Sequence, residues 1–140
     1  MKDVIRIVPL VLYLIIGSIS LVMAIKTLFA RRLLSFQEKA YGNNWERIDN
    51  NLQHVFLALL KISGLGFLII ALLLLSSPIY NYFNPSFYLQ FVIPMIVLVF
   101  STGLFVFNYI LFKKTKAITP WKNSLYTIMG ILFCILLSTL

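Results

Sequence analysis

Few side chains in this chain could do chemistry, and the one ionisable group set clearly inside an apolar stretch is Lys61. An ionisable residue within a membrane span is by default a candidate site, and an ammonium there could hold an anionic headgroup, a quinone oxygen or a carboxylate. It also has a way out. Six residues past Val55 is about 9 Å of helix, and the long stem points back toward the helix start, so the charge can snorkel to the interface. His54, the single histidine, shares its helix face.

A second set is uncharged. Gln90, Pro94, Ser101 and Asn108 fall on one stripe, because eighteen positions separate Gln90 from Asn108 and that is five turns at 3.6 residues each. Amides are costly against hydrocarbon and should turn inward. The stripe reads either as a polar pathway or small-ligand pocket, or as hydrogen bonding between helices beside a kink at Pro94.

Other chemistry is poorly supplied. One His, one Cys (Cys134) and four acidic residues, all acidic ones outside the apolar stretches, leave no closed metal site to expect and no cofactor. A serine nucleophile needs a base beside it, and for Ser63 or Ser124 the candidates are His54 and Lys61 alone. An enzyme is the less favoured reading.

The elements that must position these residues follow from composition. Of 140 residues 61% are hydrophobic and 11% charged, with a mean hydropathy of +0.95, against roughly 45–50% and about 25% in soluble domains. A soluble globule is excluded. Apolar stretches of about 18 or more residues cross a bilayer as helices, and four qualify, near residues 7–25, 55–75, 87–112 and 121–140. The expected fold is all-α, a four-transmembrane-helix bundle forming one domain. The first stretch is read as a retained helix rather than a signal, since no small-residue cleavage pattern closes it. Pro9 fits its first turn.

Charge sets orientation. The first link carries Lys26, Arg31, Arg32, Lys39 and Arg47, the third carries Lys113, Lys114 and Lys116 with Lys122 at its edge, and the second, over residues 76–86, carries none. Nine of twelve basic residues thus share one side, which should be cytoplasmic, with both termini outside despite Lys2 and Arg6. The net charge of +8 is therefore topological and points to anionic lipid headgroups rather than nucleic acid. Tyr80, Tyr82, Phe83, Phe87 and Tyr88 suit an interfacial belt in the neutral link, Trp45 and Trp121 the opposite interface.

From Trp45 the apolar residues Ile48, Leu52, Phe56 and Leu59 recur at helical spacing, and Asn43 followed by Glu46 fits a cap. The second span is expected to begin there as an amphipathic cytoplasmic extension lying in the interface. Close helix packing in lipid relies on small residues. The first span offers Gly17, Ser20 and Ala24, the second Gly64, Gly66 and Ala71, and the fourth Gly130, Cys134 and Ser138. These seams could close one bundle, pair two copies, or dock another membrane protein.

Trp45-x2-Ile48-Asp49-x2-Leu52, the run from Leu59 through Lys61 to Gly66, and Thr119-Pro120-Trp121-Lys122 resemble small four-span bacterial membrane proteins, similar in architecture to the DoxX-like group. The resemblance implies a bacterial cytoplasmic membrane and a small subunit beside quinone-linked oxidoreductases. Three functions stand: a non-catalytic accessory subunit or scaffold, a small oligomeric transporter or channel using the third-span stripe, and a lipid- or quinone-interacting enzyme component.

Overall fold

A computed structural model describes residues 2–84 and 86–139, with side chains outside 2–6 and 87–89. Lys2, Arg6, Phe87 and Tyr88, read above for charge and interface, thus have side chains outside the described residues. The described chain is all-helical: α1 (Lys2–Leu28), α2 (Ser35–Tyr41), a 3-10 turn (Trp45–Arg47), α3 (Asn50–Phe83), α4 (Phe87–Thr115) and α5 (Trp121–Thr139). Four of these helices, α1, α3, α4 and α5, are long and apolar enough to span a membrane.

The helices are long because hydrocarbon offers no partner to a free backbone N–H or C=O. This explains the largest difference at the neutral link. Residues 76–86 read as a turn, yet α3 runs through Pro78 to Phe83, ending with the Asn84 N–H donated to the Tyr80 carbonyl at 2.9 Å. Pro78 withholds one amide proton, a smaller loss than unwinding a whole turn. Only residues 84–86 separate α3 from α4.

The start of α3 also differs from the continuous helix expected from Trp45. The Trp45 N–H is taken by the Glu38 carboxylate at 3.0 Å, and the Gln53 side-chain amide donates to the carbonyls of Trp45 (2.9 Å) and Ile48 (3.0 Å). With those groups satisfied outside a helix, Ile48 stays extended and Asp49, not Asn43, occupies the N-cap position. Preceding this turn, α2 stops at Gly42, whose φ of +81° suits glycine and lets its N–H reach the Glu38 carbonyl.

The spans form two antiparallel hairpins, α1 with α3 and α4 with α5, set side by side. In the first, Gly17 lies against Leu74 and Leu75, and Gly64 against Thr27 and Leu28, so the two backbones approach closely. In the second, Trp121 packs edge-on against Phe105 and Tyr109 and tilted against Phe112, with Lys122 Nζ 5.7 Å from its ring centre. In the half of the bundle remote from the basic links, the hairpins meet through a packed core of Tyr13, Ile16, Ile70, Leu74, Ile93, Val97, Ile131 and Cys134.

Candidate functional site

In the half nearer the basic links the hairpins part. Between them lies a cavity of about 360 Å³, inside the roughly 300–1,000 Å³ range of small-molecule sites. Its walls are mainly apolar, with Met23, Leu60, Phe67, Val97, Phe100 and Leu104 among them. Phe36 and Gln37 of α2 also line it, so α2 lies across its basic-link end. Gln37 is fixed there, since its Oε1 accepts the Leu34 N–H at 3.1 Å. Gly66 sets the α3–α4 wall, because a Cβ there would stand 3.0 Å from the Phe100 ring.

The polar groups of the cavity are uncharged. Ser20, Ser63, Ser101 and Ser124 come one from each span, α1, α3, α4 and α5. Serine in a helix usually returns its hydroxyl proton to a carbonyl three or four residues back. Ser18, Ser76, Thr102 and Thr115, turned outward, do so at 2.7–3.2 Å. The side-chain hydroxyls of the four cavity serines make no hydrogen bond among the described residues. Thr27 and Thr127, also on the wall, are back-bonded to Met23, Ala24 and Asn123. Asn108 donates Nδ2 to the Leu104 carbonyl at 2.9 Å, leaving Oδ1 as an acceptor. Its backbone carbonyl accepts the Thr119 hydroxyl at 2.8 Å, which ties the α4–α5 link down.

The structure thus brings together part of the stripe read from sequence. Ser101 and Asn108 line the cavity, whereas Gln90, half-buried near the far end of α4, does not. Lys61 and His54 are exposed on α3 and lie outside it. Of the small residues, Ser20 faces the cavity, Gly17, Gly64 and Gly66 sit at close approaches, and Ala24, Ala71 and Cys134 are fully buried. Gly130 has ordinary clearance, 3.6 Å from Ile16 to a Cβ, and Ser138 is back-bonded to the Cys134 carbonyl.

At the basic end, Arg31, Arg32 and Trp45 line an open cleft with Glu38, Asn44 and Glu46. Lys39, Lys113, Lys114 and Lys116 are exposed, and Trp121 is half-buried. Among the described residues no group of three or more His, Cys, Asp or Glu could hold a metal. The sequence offered Ser63 and Ser124 as weak nucleophiles, and Ser63 also as a small packing residue of the second span, and gave no signal for Thr27, Phe36 and Gln37. Nothing in a chain of apolar residues fixes how far each helix is rotated.

Neither a protein-family model, nor a curated protein, nor a solved structure matches this chain.

Proposed function

We propose that the protein is a non-catalytic accessory component of the membrane that holds a small lipophilic molecule between its two hairpins. The observation that carries this reading is the 360 Å³ cavity with apolar walls and unspent hydroxyls at its polar positions. Its wall has no titratable side chain among the described residues, so it has the means to hold a molecule but not to move a proton on it. Within this reading the basic links face the cytoplasm, both termini lie outside, and Arg31, Arg32, Lys39, Lys113, Lys114 and Lys116 meet anionic headgroups. The amphipathic segment in the interface is then α2 with the Trp45–Arg47 turn, leading into the polar first turn of α3.

Native mass spectrometry of the protein released directly from membranes tests this. Wild type should retain a small-molecule adduct that Ser63→Phe and Ser101→Phe, which place rings in the cavity, lose while still folding. An adduct unchanged in both folded variants would refute the reading, as would a wild type that carries none.

A further inference from the structure

Resting on that cavity reading, we infer that the molecule held there is a neutral lipid alcohol with two or more oxygens, of the monoacylglycerol type. It bridges the hairpins through Ser20, Ser63, Ser101 and Ser124.

Charge is the first constraint. With no cationic or anionic side chain on the described wall, a carboxylate or phosphate would enter a low-dielectric space without a counterion, which burial strongly penalises. The ligand is therefore uncharged. Hydrogen bonding is the second. Each free serine hydroxyl can both donate and accept, but Asn108 Oδ1, a carbonyl oxygen, can only accept, and one of the Nδ2 protons beside it is already given to the Leu104 carbonyl. A molecule bearing carbonyl oxygens alone leaves that acceptor unmet, whereas an alcohol donates to it and still accepts from the serines. Placement is the third. The four hydroxyls belong to four different helices, two in each hairpin, so one oxygen could not serve them all and a polyol headgroup could. Apart from Thr27, Gln37, Asn123 and Thr127, the rest of the wall is hydrocarbon and aromatic, matched to an acyl chain. The cavity volume suits a single short chain and not a two-chain phospholipid.

The test uses wild type in lipid discs with three probes of one chain length, monooctanoylglycerol, methyl octanoate and octanoate, scored by native mass spectrometry at equal concentration in the bilayer. Monooctanoylglycerol should bind at least tenfold more tightly than the methyl ester, the worth of two or more hydrogen bonds formed where water cannot compete, and octanoate should bind weakest. Combining Ser20→Ala, Ser63→Ala, Ser101→Ala and Ser124→Ala keeps the space and removes the hydroxyls. It should shrink that preference to what Asn108 Oδ1 alone confers while the methyl ester still binds. Equal binding of ester and monoacylglycerol by wild type would overturn the alcohol assignment and leave the cavity reading standing. Binding of all probes that Ser63→Phe fails to reduce would overturn both.

Discussion

Adding one methyl group at Gly64 probes the tightest of the glycine contacts in the bundle. An alanine Cβ there would lie 2.6 Å from Thr27 Oγ1, 2.9 Å from Leu28 Cγ and 3.1 Å from the Leu28 backbone nitrogen. The leucine side chain can turn aside, but the backbone nitrogen cannot, so α1 and α3 must separate. Overpacking of this kind costs about 1–3 kcal/mol, set against a gain of up to about 1 kcal/mol when alanine replaces glycine in a helix. Gly64→Ala should therefore destabilise by about 1–2 kcal/mol. Gly130→Ala, with its nearest neighbour at 3.6 Å, and Gly103→Ala, with nothing within 4 Å, should be neutral or slightly stabilising. Thr27→Ala added to Gly64→Ala removes the shortest contact and should recover part of the loss, a coupling a double-mutant cycle reads directly. The assay is reversible unfolding in mixed micelles followed by tryptophan fluorescence. If Gly64→Ala proves no less stable than Gly130→Ala, the close α1–α3 approach is refuted.

Other outcomes follow from the same geometry. Tyr13→Phe removes a buried hydroxyl that has no hydrogen-bond partner and should stabilise the bundle by about 1 kcal/mol in the same assay. Lys116 turns the chain after α4 at a φ of +56°, a conformation costly for a side chain, so Lys116→Gly should stabilise by up to about 1 kcal/mol, and a loss of stability would contradict that assignment. Lys61→Met and Gln90→Leu, outside the cavity, should leave adduct retention in native mass spectrometry unchanged, while Asn108→Leu should lower it. With Cys134 changed to serine, a cysteine at Asn84 should react with an impermeant maleimide from outside whole cells and one at Lys39 should not; the reverse pattern would invert the proposed orientation.

Much of the frame was legible in the sequence because a bilayer imposes a simple rule on it. An uninterrupted apolar stretch must be helical, and four such stretches give four helices long and apolar enough to span a membrane. What the rule does not reach is the end of each helix and its rotation. Pro78 and the polar residues near it signal a turn, yet the helix continues to Phe83 because satisfying the backbone outweighs one missing proton. Seven residues, as in α2, are too few for a periodicity to show, although Gly42 after Tyr41 was a usable stop signal. Rotation decided the site. Lys61 and Ser63 are two residues apart, about 200° around the helix, and one is exposed while the other lines the cavity. That choice is made by Gly64 and Gly66 seating α3 against α1 and Phe100, a pairing that no local pattern encodes.

The central claim is that a lipophilic molecule sits between the hairpins rather than only around them. It is tested most directly by a diazirine-bearing monoacylglycerol photoactivated in native membranes, with its attachment sites mapped by peptide mass spectrometry. The account predicts adducts concentrated on Met23, Phe67 and Leu104, which face the cavity, and competed away by unlabelled monooctanoylglycerol. Adducts confined to the exposed outer residues Ile62, Ile69 and Val99, and insensitive to that competitor, would contradict it.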